Sequence, residues 1–224
     1  MSSSLFEFLA GFVTDRRKKI ICDNIKERTR YITVVLEDIF QPQNASAVLR
    51  TCDCFGIQDV HIIENQNKYN INPDVVLGAT QWLTIKNYNK NENNTLEALN
   101  NLKKNNYRII ATTLSENNVS LNDFQLNKGK IALFFGTELT GLSSEVINNA
   151  DEFLKIPMYG FTESFNISVS AGIILHDLSL KLRQSEINWQ LSETEQDELK
   201  LNWIKNTLKT PELLIKEFEK NINK

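Results

Sequence analysis

Apolar residues recur along this chain at two different periods, and the change of period separates its parts. Leu5, Phe8, Leu9, Phe12 and Val13 fall at i, i+3, i+4, i+7 and i+8, the stripe of an amphipathic helix. Ser4 and Glu7 read as its capping box, and the helical pattern continues or restarts through Ile20, Ile21 and Ile25. From Tyr31 the period shortens. Tyr31–Asp38, Ile57–Glu64, Tyr107–Leu114 and Lys130–Thr137 are short β-branched and aromatic runs, with Glu152–Met158 as a fifth. Helical patterns near 44–55, 95–105 and 143–150 separate most of them, and a longer one runs from about Ile167 to Leu182.

This alternation predicts an α/β fold, a mainly parallel sheet flanked by helices. The polar stretch 87–107 reads as a surface-facing connector around one helix near Thr95–Leu102. Two helices close the chain. Ser192 and Glu195 cap the first, with Leu199, Trp203 and Leu208 inward. Thr210 and Pro211 open the second, with Leu214, Phe218 and Ile222 on one face. The expected organisation is a basic helical extension over 1–28, an α/β domain over 29–184 and a C-terminal helical extension over 185–224.

Charge changes this picture at one place. The 224-residue chain carries a formal net charge of −3, which argues against non-specific coating of nucleic acid. Residues 15–30 nevertheless hold seven Lys/Arg against three acids, a local +4. The other 18 of 25 basic and 25 of 28 acidic residues leave −7 on the rest. Such an arm is either a solvated amphipathic helix or a phosphate-contacting surface. Cys22, Cys52 and Cys54 form an odd set without CxxC spacing, read as buried free thiols in a reducing compartment. The opening MSSSLFEFLAGF has no basic segment before its apolar run, and no run reaches membrane-spanning length. A soluble, cytoplasmic protein is expected, with no membrane partner.

Candidate chemistry lies in three segments. In QPQNASAVLRTCDCFG, Asn44 reads as a helix N-cap, followed by Ala45, Val48, Leu49, Cys52 and Phe55 on one face and a stop at Gly56. Arg50 points away from that face, either as a solvated arginine paired with Asp53 or as a functional cation. FFGTELTGLSSE follows a buried run, with glycines at 136 and 141 and Ser143 as a cap. Leu142 stands where a P-loop needs lysine, so a P-loop is excluded, and no G-x-G-x-x-G follows the first strand. A ligand loop at the carboxyl end of a parallel strand remains. IPMYGFTESFNISVSAG is either an ordinary strand-to-helix connection, with Ser164 or Asn166 as cap, or a surface of exposed backbone groups suited to a flat polar ligand such as adenine. His61 and His176 are the only histidines and have no metal-ligand spacing, so no metal is expected.

Together and in this order, these segments resemble the SpoU/TrmH family of RNA ribose 2′-O-methyltransferases, within the SPOUT superfamily. QPQNASAVLRTCDCFG is similar to the family's Asn, small-residue helix and Arg-Thr pair. FFGTELTGLSSE is similar to its Gly-x-Glu-x-x-Gly, and IPMYGFTESFNISVSAG to its Ile-Pro-Met followed by Ser-x-Asn. The likeness runs from about Thr29 to Leu182. It implies a C-terminal trefoil knot, a homodimer and S-adenosylmethionine as cofactor. By matching positions, Arg50, Asn44, Glu138, Ser164 and Asn166 would be catalytic. Thr112, Leu114, Gly136, Glu138, Ile156, Met158, Ser164, Phe165 and Asn166 would hold the cofactor. Arg16, Arg17, Lys18, Lys19, Arg28 and Arg30 would contact RNA.

A guanidinium holds its proton too tightly to serve comfortably as a general base, so Arg50 is better read as a clamp on phosphate and developing alkoxide. The implied reaction is ribose 2′-O-methylation of tRNA at the D-loop guanosine numbered 18. Two departures bear on the target. Gln41-Pro42-Gln43 stands where members acting on that guanosine often carry Lys-Pro-His. Leu180 and Leu182 interrupt a helix that often carries several arginines. A third departure, Phe165 in place of a usual leucine, does not bear on the target. Methylation of another RNA such as rRNA, or an RNA-binding role without activity, are the alternatives.

Overall fold

The computed structural model describes residues 2–113 and 118–222. Along the chain run α1 (Ser2–Ala10), α2 (Asp15–Asn24), β1 (Ile32–Glu37), α3 (Pro42–Cys54), β2 (Asp59–Ile63), α4 (Pro73–Val76), β3 (Thr84–Tyr88) and α5 (Asn94–Lys104). Then come β4 (Arg108–Thr112), β5 (Val119–Ser120), β6 (Ile131–Phe135), α6 (Ser144–Asn149), β7 (Glu152–Lys155), α7 (Ile167–Arg183), α8 (Glu193–Thr207) and α9 (Pro211–Ile222). Contacts divide the chain into two compact units, Met1–Arg28 with Gln190–Lys224, and Thr29–Trp189.

The larger unit is built on one sheet in the order β3-β2-β1-β6-β4-β7-β5, with every pairing parallel. β1 and β6 lie at its centre, each strand residue buried, as expected for strands covered on both faces. Period-two alternation splits β1 between the faces. Ile32, Val34 and Leu36 pack with Ala45, Val48 and Leu49 of α3 and Ile174, Leu175 and Leu178 of α7. Val35 packs on the other face with Leu99 and Leu102 of α5 and Val146 of α6. Because all strands run parallel, the loops that follow them gather at one carboxyl edge, where such sheets bind ligands.

In the smaller unit α1 packs on α8 and α9. Ser192 and Glu195 form the expected capping box, and α9 opens at Pro211. Arg28 is buried at 5% exposure, its guanidinium 5.1 Å from the Trp203 ring centroid.

Several expectations are corrected. α1 starts before Ser4, so Ser4 and Glu7 do not cap it. The helix ends at Ala10, leaving Phe12 exposed, and Thr14 caps a separate α2. α3 begins earlier than read: Gln41, three residues before Asn44, occupies the N-cap position and Pro42 the first turn, where its fixed φ is already helical. Asn44 therefore lies inside the helix. The stretch 87–107 is no surface connector, since Ala98, Leu99 and Leu102 of α5 are buried on the sheet. β3, β5 and α4 have sequences too polar or too short to show a period. Among the cysteines only Cys52 is buried; Cys54 is exposed.

Candidate active site

Two loops at the carboxyl edge line one cavity, and a third meets them beside it. The first follows β6. Gly136 has no room for a side chain, since a Cβ there would lie 2.3 Å from the Gly141 carbonyl carbon and oxygen. This close approach pinches the loop shut. The amide of Thr137 donates to the Gly141 carbonyl at 3.0 Å, and the Gly141 amide donates back at 3.1 Å. Gly141 itself has φ +71°, a conformation that disfavours side chains. Ser143 then caps α6, accepting from the Val146 amide at 3.3 Å.

The second loop follows β7, running through Ile156, Met158 and Ser164 to Asn166. Of the two expected caps Asn166 is the one used: its Oδ1 accepts from the Ser168 amide at 2.9 Å. The third is the β1–α3 connection, which presents Gln41 and Asn44.

The cavity encloses about 330 Å³, within the range of small-ligand sites. Thr112, Gly136, Glu138, Ile156, Met158, Ser164 and Phe165 line it, together with Thr113, Thr137, Leu142, Lys155 and Ile174. Asn166, also expected there, is not among the lining residues, and Leu114 lies outside the described residues. The Thr112 hydroxyl donates to the Phe134 carbonyl at 2.7 Å, so it fixes the strand ends that form the floor.

Beside the cavity a polar cluster joins all three loops. Glu138 Oε1 accepts from Asn44 Nδ2 and from Asn166 Nδ2, both at 2.8 Å. Asn166 Nδ2 also lies 3.1 Å from Asn44 Oδ1, and Asn44 Nδ2 donates to Gln41 Oε1 at 3.0 Å. Asn44 is buried at 8% exposure, while Glu138 and Asn166 face solvent. A side-chain network with its donors and acceptors matched is held in one arrangement before any ligand arrives. Gln41 was not among the candidate site residues; the sequence marked it only through the Gln41-Pro42-Gln43 departure in the first motif.

Arg50 stands apart. It is exposed on α3, does not line the cavity, and among the described residues has no hydrogen-bond or ion-pair partner, Asp53 included. No group of three or more His, Cys, Asp or Glu among the described residues could hold a metal ion. No described helix is long and apolar enough to cross a membrane.

Residues 31–176 match the SpoU rRNA methylase family. The chain belongs to this family. A tRNA (guanosine(18)-2′-O)-methyltransferase from Borreliella burgdorferi is 46% identical over 201 residues, 90% of each chain. The enzyme of that name from Thermus thermophilus is 32% identical over 164 residues, 73% of this chain and 82% of the other. Among solved structures, the A. aeolicus TrmH/SpoU tRNA modifying enzyme has a TM-score of 0.77 at 27% identity. That match covers 87% of this chain and 98% of the other.

Within this SpoU family chain the basic candidates differ in their surroundings. Arg16, Arg17 and Lys19 are exposed on α2, with Lys19 paired to Asp23 at 2.7 Å. Lys18 donates to Glu7 at 2.6 Å, which raises its pKa. Arg28 is occupied by Trp203 as described. Arg30, half-buried, is paired with Asp59 at 3.2 Å. These two serve internal contacts, and the exposed α2 residues present the local positive charge.

Proposed function

We propose that this protein transfers a methyl group from S-adenosylmethionine to the 2′-hydroxyl of a ribose in tRNA, at the D-loop guanosine numbered 18. The observation that carries the reading is the Asn44–Glu138–Asn166 cluster, assembled from three loops at the rim of the cavity. The names of the relatives, which match over most of both chains, support the substrate.

The cavity suits a nucleoside-bearing cofactor. Leu142, Ile156 and Ile174 offer apolar walls for ring faces, while threonine hydroxyls and two glycine-containing loops offer polar groups for ring edges. Thr112, Gly136, Ile156, Met158, Ser164 and Phe165 would hold it, with Glu138 and Asn166 at the rim. When bound, S-adenosylmethionine supplies an electrophilic methyl on a sulfonium.

The chain's own residues orient and stabilise. Glu138 holds the Asn44 and Asn166 amides, so their orientation is set without reorganisation during the reaction. Arg50, exposed and unpaired within the described residues, clamps substrate phosphate and the developing alkoxide. Arg16, Arg17, Lys18 and Lys19 supply phosphate contacts.

A homodimer, a trefoil knot in the segment through α7 and a cytoplasmic location belong to the same reading. The exposed Leu139, Phe161 and Val169 support a second copy covering apolar surface.

The test is methyl incorporation by purified protein into a tRNA transcript, beside one with 2′-deoxyguanosine at position 18. Labelling of the first alone is expected. Equal labelling of both moves the site elsewhere in tRNA. Labelling of rRNA but not tRNA would establish the alternative suggested by Gln41, whose side chain is spent on Asn44.

A further inference from the structure

We infer that Glu37 is a positioning residue: its buried carboxylate sets the loop from Gly136 to Ser143, and thereby the cavity wall and Glu138. This rests on the function proposed above. Alternation along β1 places Glu37 on the same face as Val35, against α5 and α6. The residue is 2% exposed, and it does not line the cavity. Its Oε1 accepts from Thr95 Oγ1 and from Ser143 Oγ, each at 2.7 Å, and its Oε2 accepts from the Ser143 backbone amide at 2.9 Å.

All three partners donate. The Ser143 hydroxyl oxygen accepts from the Val146 amide, which leaves its proton to point at Glu37. A carboxylate accepts all three bonds at once, whereas an amide in one orientation sets its NH₂ against the Ser143 backbone amide and in the other loses both hydroxyl-to-oxygen bonds. Burying a carboxylate is costly unless every lone pair in use is matched, as it is here. Ser143 is the last residue of the loop whose first, Gly136, is pinned against Gly141. With both ends held, the intervening Glu138 meets Asn44 and Asn166 in one place. The contact to Thr95 ties the same carboxylate to α5, away from the cavity.

The test uses Glu37→Gln and Ser143→Ala, with Thr95→Val as the control on the α5 side. Amide hydrogen exchange and S-adenosylmethionine affinity by calorimetry are read on each folded variant, beside its melting temperature. Glu37→Gln and Ser143→Ala are expected to lose protection at the Gly141 and Ser143 amides and to bind cofactor about tenfold more weakly. Thr95→Val is expected to lose protection in α5 and keep wild-type affinity. If the first two lower only the melting temperature, or all three weaken binding alike, Glu37 is merely structural and the inference is wrong. If wild type binds no cofactor the proposed function fails, and the exchange pattern still decides whether Glu37 holds the loop. Should Glu37→Gln not fold, Ser143→Ala carries both readouts.

Discussion

Asn166 donates its side-chain amide to the Glu138 carboxylate at 2.8 Å while its oxygen accepts from the Ser168 amide at 2.9 Å. One side chain thus starts α7 and completes the polar cluster at the cavity. The two duties use different atoms, so substitutions can separate them. Asn166→Ala removes both, and it should cost about 1 kcal/mol in stability along with activity. Asn166→Asp keeps an oxygen for the cap but sets a second carboxylate against Glu138. Its melting temperature should stay near wild type while single-turnover methyl transfer falls about tenfold or more. Parallel losses in melting and turnover for Asp would show that the cluster has no role of its own.

Arg50 separates a surface residue from a functional one. Its exposure and lack of a partner predict that Arg50→Ala changes stability by no more than about 0.5 kcal/mol. Methyl transfer should nevertheless fall about a hundredfold, the scale for one preorganised electrostatic contact. Arg50→Lys should recover little, since an ammonium lacks the bidentate fork. Calorimetric cofactor affinity should survive both changes, because Arg50 does not line the cavity. Near-normal turnover by Arg50→Ala would return it to the solvated surface.

The exposed cations of α2 should make RNA affinity salt-sensitive despite the net charge of −3. Replacing Arg16 and Arg17 together should reduce the slope of log K against log salt by about one to two units. Arg28→Ala should instead lower the melting temperature, since its guanidinium is spent on Trp203. An unchanged slope in the double variant would make α2 a solvated face only.

His61 lies buried in β2, 2.9 Å from the Tyr88 hydroxyl. Burial, with a smaller contribution from Lys86, pushes its pKa from 6.5 down to about 3. Below pH 6.5 the unfolded chain takes up a proton that the folded one refuses. The unfolded state then binds more protons, so stability falls as pH drops, and goes on falling until about 3. The slope from this residue approaches about 1.4 kcal/mol per pH unit. His61→Gln, which can still bond Tyr88, should give a flatter curve in denaturant titrations across that window. Parallel curves for the two proteins would place the proton elsewhere.

Features that depend on neighbours within a turn or two were readable directly in the amino-acid order. The capping box of Ser192 and Glu195, the cap at Ser143, Pro211 at the start of α9 and the strand runs of β1 and β6 are of this kind. So was the loop between Gly136 and Gly141, though not its pinch, and the three motifs resembling the SpoU family. Local chemistry also misled: Asn44 is a good cap by type, but Pro42 starts the helix earlier and frees its amide for Glu138.

What tertiary structure alone decided is who meets whom. Asn44 and Glu138 are 94 residues apart, and Asn44 and Asn166 are 122 apart. No period or propensity pairs them. They meet because β6 pairs in parallel beside β1, and β4 carries β7 next in the sheet, so the loops after these strands share one edge. The same order places Glu37 under Ser143, 106 residues away, and the helices' packing turns Arg28 onto Trp203. Local sequence sets backbone preference over a few residues, whereas sheet order is chosen by burial summed over the whole core. That sum decides which side chains lose their water and must find each other.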